Sequence, residues 1–306
     1  MKLVVATHWH DDHIHGLAKI LDAAKAAKFV NSAVHPLRLL TRLALLSTKS
    51  ARSSSATLEL NAILEILGQR RQQGERREAV GPIPAIANKR LLSLNQEQRV
   101  VRAEVTALSP ADGVFNLAEA ELVAAIKAAE HFRRPTTIGP NQLSVVLWLK
   151  VGFVNVLLGA DLEHVSGATE GWRAIVSSAE RPEGRARFFK VAHHGSENAD
   201  CPETWTQLLH DGPVVIVTPY APSLLPKPSD IKRLCSKTPA VFLTSDPARY
   251  GLPRRDNAVE KTLREIAVVR RSLLGQMGHV QLRCDAREDN AEPEFALKDG
   301  ARQQCA

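Results

Sequence analysis

The sequence predicts an α/β fold, and three observations carry that prediction. Short apolar runs of strand length recur, as at Leu3-Val4-Val5-Ala6, Val214 to Thr218 and Ala240 to Thr244. Stretches with helical spacing lie between such runs. The chain has 306 residues with 44% hydrophobic content, enough for one large α/β domain or two small ones with a real core.

Leu3 to Ala6 is read as a buried strand ending at Thr7. Ile14 to about Lys28 is rich in Ala, Leu and Lys, and a helix there places Leu17, Ile20, Leu21 and Ala24 on one face. Phe29-Val30 starts another short strand. Residues from about 36 to 100 differ in character, with recurrent Arg and Lys, including Arg70-Arg71 and Arg76-Arg77. One helix stands out there, since Leu60, Ile63, Leu64 and Leu67 fall at i, i+3, i+4 and i+7. This region reads as a basic helical insertion, peripheral to the core, that is either a solvated helix face or a surface touching substrate.

Leu143 to Lys150 and Phe153 to Leu158 flank Val151-Gly152 and read as a β-hairpin. Ala186 to Ala192 is a strand that ends at His193. Pro202 to His210 is a helix with proline in its first turn, and Ser229 to Cys235 is another. Residues 1–250 are therefore expected to form the main domain, interrupted at about 36–100. Residues 251–306 form a C-terminal extension, expected to be partly disordered because Asp, Glu, Lys and Arg dominate from about Asp285.

The net charge of +7 favours acidic partners such as nucleic acid or a nucleotide. No apolar run is long enough to span a bilayer, so no membrane partner is expected. The start of the chain fits no signal peptide. Cys201, Cys235, Cys284 and Cys305 show no paired metal spacing and read as reduced thiols. A cytoplasmic location is expected from these features.

The chemistry concentrates at one point. His8, His10, Asp11, Asp12 and His13 lie within six positions, delivered by a strand into a loop. Histidines two apart can converge on one cation, and Asp12 with His13 can face a second. Imidazole nitrogen with carboxylate oxygen suits Zn²⁺, Mn²⁺ or Fe²⁺. Such a cation acidifies a water and polarises a scissile bond, while a carboxylate steers that water. No phosphate-binding glycine loop and no serine-hydrolase elbow is present.

The segment Thr7-His8-Trp9-His10-Asp11-Asp12-His13 resembles the His-x-His-x-Asp-His signature of the metallo-β-lactamase superfamily. Leu157-Leu158-Gly159-Ala160-Asp161 resembles its later strand-end aspartate, which bridges two metals. Asn141-Gln142-Leu143-Ser144-Val145-Val146 precedes it at the usual distance. Lys190-Val191-Ala192-His193-His194-Gly195-Ser196 and Leu108-Ser109-Pro110 are similar to one branch, which includes the hydrolase domain of competence DNA-uptake proteins.

The resemblance covers about residues 3 to 250. It implies a four-layered αββα sandwich of two mixed β-sheets with outer helices. It implies one or two ions, Zn²⁺ or Mn²⁺, held by His8, His10, Asp12, His13, Asp161 and His194. It implies that Asp12, His193 and His194 carry the chemistry, with Asp12 holding the attacking water. The family has strands before the histidine motif, whereas here the motif starts at position 8, so the sandwich is expected to be incomplete at its N-terminus. A late His-Pro of that branch has no counterpart in Leu224-Leu225-Pro226-Lys227-Pro228.

Alternation along a strand predicts that His193 and His194 leave it in different directions. His194 is expected nearer the metals. His193 then serves as its support or as a general acid in the substrate groove. His15, His35, His131 and His164 each read either as site residues or as ordinary histidines. Lys190 reads as a phosphate contact or a paired surface lysine, and Ser196 as a substrate donor or a turn cap.

The leading functional expectation is a phosphodiesterase or nuclease using a metal-activated water. The alternatives are a small-molecule ester, lactone, thioester or β-lactam hydrolase, and a degenerate non-catalytic binding module.

Overall fold

A computed structural model describes residues 1–32, 55–74, 80–94, 101–114, 141–165, 167, 169–245 and 277–305, with isolated positions at 123, 126–127, 256, 258–259 and 262. The fold is α/β. Its first sheet holds β1 (Leu3–Ala6), β2 (Lys28–Ser32) and β3 (Pro82–Ala85), in the order β1-β2-β3. All its pairings are parallel, so this sheet is not mixed as expected. The reason is connectivity. The helix Leu17–Ala23 lies between β1 and β2 and the helix Ser55–Gln72 between β2 and β3, and such crossovers give parallel pairs.

The second sheet is mixed. It holds β4 (Lys89–Leu94), β5 (Ala103–Ala107), β6 (Leu147–Val151), β7 (Val154–Leu158), β8 (Ala186–Lys190), β9 (Leu209–Val217), β10 (Val241–Leu243) and β13 (Arg302–Gln303). The strands from β4 to β7 form an antiparallel meander that includes the expected β6–β7 hairpin. The strands from β7 to β10 then run parallel. β11 (His279–Arg283) and β12 (Glu294–Lys298) form a separate antiparallel hairpin.

Strand alternation decides which face packs where. Leu3, Val5, Val30 and Ile83 meet Val105, Leu147, Leu149 and Leu158 of the large sheet. Val4, Ala6 and Phe29 point the other way, onto Ile14, Ala18 and Leu21 and onto Leu60, Ile63 and Leu67. The opposite face of the large sheet buries Trp148, Leu157, Phe189 and Val215 against Trp172, Ile175, Leu208 and Leu234. These last four lie in or beside the helices Gly171–Ser177, Pro202–Gln207 and Pro228–Cys235.

Four expectations need correction. The helix expected from Ile14 to Lys28 is a turn at Asp11–Ile14 followed by a helix at Leu17–Ala23, and Ala18 replaces the exposed Ile20 on its buried face. The region 36–100 is, in its described residues 55–74 and 80–94, not peripheral to the core. Its helix, Ser55–Gln72, packs Leu60, Ile63 and Leu67 into the core, and its β3 and β4 join the two sheets.

Arg70 is 3% exposed, with its guanidinium donating to the carbonyls of Leu21, Ala24 and Ala27. Arg71 is exposed, and Arg76 and Arg77 lie outside the described residues. The residues after Asp285 are ordered in part: Glu294–Lys298 pairs with β11, whose Val280 and Leu282 pack with Phe188, Val214 and Phe242, and Phe295 stacks on Phe242 with ring centroids 4.5 Å apart. Finally, Cys235 and Cys305 form a disulfide, and only Cys201 and Cys284 are free thiols. The cysteine argument for a reducing compartment therefore falls away. Among the described residues, no helix is long and apolar enough to cross a membrane.

Candidate metal centre

The site forms where parallel strands end. β7, β8 and β9 run in the same direction, so their carboxyl ends share one edge of the large sheet. That edge of an open α/β sheet is where ligands bind. Asp161 follows β7, His193 and His194 follow β8, and Thr218 and Tyr220 follow β9. The end of β1 is tied to the same place, because Val145 N–H donates to Thr7 O at 3.0 Å. His8, His10, Asp12 and His13 therefore arrive opposite Asp161.

Local backbone geometry completes the approach. Gly159 lies against the chain at Ala192, where an added Cβ would sit 2.8 Å from its backbone nitrogen. Any larger residue would push the Asp161 loop away from the histidine turn. His193 and His194 both have left-handed backbones, with φ of 46° and 56°. That conformation costs about 1–2 kcal/mol per non-glycine residue. It is held by His193 N–H donating to Ala160 O at 2.9 Å and Ser196 N–H donating to His193 O at 3.0 Å. The strand stops at Lys190, so the expected extended alternation does not apply to these two histidines.

The ligating atoms form two groups, each with all its atoms within 4.8 Å of one another: Asp12, His13, Asp161 and His194 in one, and His8, His10 and Asp161 in the other. Asp161 belongs to both. Its Oδ1 is 3.1 Å from His13 Nε2, and its Oδ2 is 3.6 Å from His8 Nε2 and 3.7 Å from His194 Nε2. Asp12 Oδ2 is 3.2 Å from His194 Nε2 and 3.4 Å from His13 Nε2. His8, Asp161 and His194 are almost wholly buried, while the Asp12 side chain keeps 22% of its surface exposed. This His/Asp group can hold a metal ion.

Unpaired polar atoms support that capacity. His8 Nε2, His13 Nε2 and Asp161 Oδ1 are buried and make no hydrogen bond in the structure. Buried polar atoms without partners are rare and costly. A cation in each group would satisfy them, His13 Nε2 and Asp161 Oδ1 in one and His8 Nε2 in the other. The outer contacts point the same way. His194 Nδ1 donates to Thr218 O at 2.7 Å, which leaves Nε2 as the lone-pair atom facing Asp12 and Asp161. Tyr220 stacks on the His194 ring at 4.8 Å between centroids and fixes its plane.

The electrostatics suit metal ligands. Burial pushes the His8 pKa down to about 4, and nearby His13 adds to this against the pull of Asp161. Burial also lowers His10. Burial alone would raise Asp161, but the His13 and His8 imidazoles outweigh it and hold the carboxylate ionised. Asp12 is likewise lowered, because His194 and His13 outweigh its burial. Neutral imidazoles around ionised carboxylates are the states that coordinate metals.

The remaining candidates lie elsewhere. His193 belongs to neither group. Its Nδ1 faces Asn198 Oδ1 at 2.9 Å, and its Nε2 faces Asn141 Nδ2 at 3.3 Å. Asp11 and His15 are exposed and also belong to neither group. His164 is half-buried and joins neither group, and its backbone N–H donates to Asn198 O. His35 and His131 lie outside the described residues.

Lys190 Nζ donates to Val191 O at 3.0 Å, and burial lowers its pKa to about 8 against the pull of Asp161 and Asp12. It is thus a cation beside the site and not a paired surface lysine. The Ser196 side chain makes no cap hydrogen bond to the following turn. Sequence reasoning missed Tyr220, Glu163 and Asn198. The usable signal for Tyr220 was its position just past β9, at the edge where β7 and β8 also end. The chain matches no family model and no curated protein.

Proposed function

We propose that the chain is a metal-dependent hydrolase with a metallo-β-lactamase-like αββα arrangement, acting on phosphodiesters of nucleic acid or nucleotides. The carrying observation is Asp161, shared by two groups of ligating atoms and faced by the buried Nε2 atoms of His8 and His13, which make no hydrogen bond. The packing order supports the architecture: helices lie on the outer face of each sheet, and the two sheets meet through Leu3, Val5, Leu147 and Leu149.

One or two divalent cations, Zn²⁺ or Mn²⁺, would supply an acidified water and a Lewis acid at the scissile bond. His8, His10 and Asp161 would hold one ion, and Asp12, His13, Asp161 and His194 the other. Asp12 is the least buried of these carboxylates, so it is placed to accept a hydrogen bond from the attacking water and to orient it. His193 lies just outside the ligands, with its ring centroid 6.2 Å from that of His194. Lys190 and the net charge of +7 favour an anionic substrate.

The test combines metal analysis of the purified protein with turnover of a generic phosphodiester, with and without chelator. Bound Zn²⁺ or Mn²⁺ and chelator-sensitive turnover are expected. Asp12→Asn should abolish that turnover while leaving the thermal unfolding transition intact. Wild-type turnover in Asp12→Asn would refute the assigned role. Chelator-sensitive turnover of an ester or lactone, with none of the phosphodiester, would instead identify a small-molecule hydrolase.

A further inference from the structure

Beside the metal ligands lies a second cluster of polar side chains that takes no part in holding a cation. Glu163 follows β7, Asn141 opens the turn before β6, and Asn198 sits in the turn after His193. Glu163 Oε1 accepts from Asn141 Nδ2 at 2.9 Å and from Asn198 Nδ2 at 3.0 Å, and it lies 3.5 Å from His193 Nδ1. The backbone joins the same loops, since His164 N–H donates to Asn198 O at 2.8 Å.

We infer that Glu163 is a positioning residue that fixes the tautomer of His193, acting through Asn198 and Asn141. The inference deepens the hydrolase reading and rests on it only for the consequence in turnover. An ionised carboxylate can only accept hydrogen bonds. Both asparagines must therefore turn their NH₂ groups toward Glu163, which removes the usual freedom to flip an amide. With Nδ2 of Asn198 committed, its Oδ1 faces His193 and can only accept. His193 Nδ1 must then carry the proton. The same logic places a donor, Asn141 Nδ2, opposite His193 Nε2, so Nε2 is the lone-pair atom. All four side chains agree with one proton arrangement and with no other.

The consequence is a direction for His193. In its neutral form the ring cannot donate from Nε2 toward the site, so it does not serve there as the general acid that its place in the sequence first indicates. Its Nε2 lone pair instead accepts from Asn141 Nδ2 at 3.3 Å, which holds the ring in one orientation beside the ligands. Its neighbourhood to the site is evident from His194, whose ring centroid lies 6.2 Å from its own.

The test reads the tautomer directly. The full chain, labelled with ¹⁵N-histidine and held at alkaline pH, gives two-bond proton–nitrogen correlations that distinguish Nδ1–H from Nε2–H. His193→Gln assigns the signal. The wild type should show Nδ1–H at His193, and an Nε2–H pattern would overturn the inference without any variant. Glu163→Leu removes the one oxygen that accepts from both asparagines and frees Asn198 to turn over, so an Nε2–H population should appear. The reciprocal double variant, Glu163→Gln with Asn198→Asp, exchanges donor and acceptor between the two positions and should restore Nδ1–H.

A single variant that keeps a pure Nδ1–H signal, or a double variant that fails to restore it, overturns the inference. Phosphodiester turnover should fall about 10–100-fold in Glu163→Leu and recover in the double variant. The tautomer is measured without turnover, so failure of the hydrolase reading remains distinguishable.

Discussion

Replacing Arg70 with alanine should destabilise the protein by about 3–5 kcal/mol. The helix Leu17–Ala23 follows directly on the turn that carries Asp12 and His13, and the helix Ser55–Gln72 grips it at both ends. At its start, Glu59 Oε1 accepts from Ala18 N–H at 2.7 Å. At its end, the Arg70 guanidinium donates to Ala24 O and Ala27 O at 3.0 Å each and also to Leu21 O. Leu21 carries a carbonyl that the helix end leaves without a backbone partner, Ala24 O accepts otherwise only from Ala27 N–H, and a cation there also meets the negative end of the helix dipole. Each buried carbonyl left without a donor costs about 1–3 kcal/mol, and water entering the vacated space recovers part of the total. The predicted loss is a large share of the roughly 5–15 kcal/mol that holds a typical domain together. Urea unfolding at neutral pH measures it, with Arg71→Ala as the exposed control, expected within about 0.5 kcal/mol of wild type. If Arg70→Ala unfolds within 1 kcal/mol of the control, on the order of measurement error plus surface effects, the brace is not what positions the histidine motif.

Asp161→Asn should reduce bound metal in both groups at once, because its two oxygens serve both; metal analysis showing one ion fully retained would mean that the groups are independent. Acid should destabilise the chelator-treated protein before any carboxylate titrates. His8 has a folded pKa near 4 against 6.5 when free, so the unfolded chain binds the extra proton, and stability present above pH 6.5 is lost as pH falls towards 4. The loss should reach about 3 kcal/mol, and urea midpoints that stay flat between neutral pH and about pH 5 would refute it. Binding to duplex DNA should weaken with salt at a log-log slope of about −0.9 per phosphate contacted. A slope near zero would remove the net charge as an argument for a nucleic-acid substrate.

The sequence made the metal motif legible because its information is local. Five ligand-type residues at His8 to His13 need only a strand end to bring them together, and Leu3 to Ala6 reads as that strand. The burial of Leu60, Ile63 and Leu67 was equally readable from spacing. What was not legible depended on distant partners. Arg70 and Arg71 are indistinguishable as residue types, yet one is buried under three carbonyls and the other is exposed. The choice follows from which face of the helix meets Leu21, and no spacing rule contains that. Cys235 and Cys305 are 70 residues apart, and only the pairing of β13 with β10 brings them together. The hairpin β11–β12 does carry a period-two signal at Val280 and Leu282 and at Phe295 and Leu297, but the charges around it read as a loose tail.

The two histidines after β8 show where pattern reasoning meets its physical limit. Alternation sends His193 and His194 in different directions, but the argument presumes that the strand continues, and it stops at Lys190. The chain instead enters a left-handed turn that two non-glycine residues resist, and it does so because contacts from other elements hold it there. Ala160 O takes the His193 amide, Arg233 donates to Gly195 O at 2.7 Å, and Thr218 O takes the His194 imidazole. Each of these is supplied by a different strand end or helix of the same sheet. The strain is thus offset by the convergence that builds the site, and the direction of each histidine is a property of that edge of the sheet, absent from the segment alone.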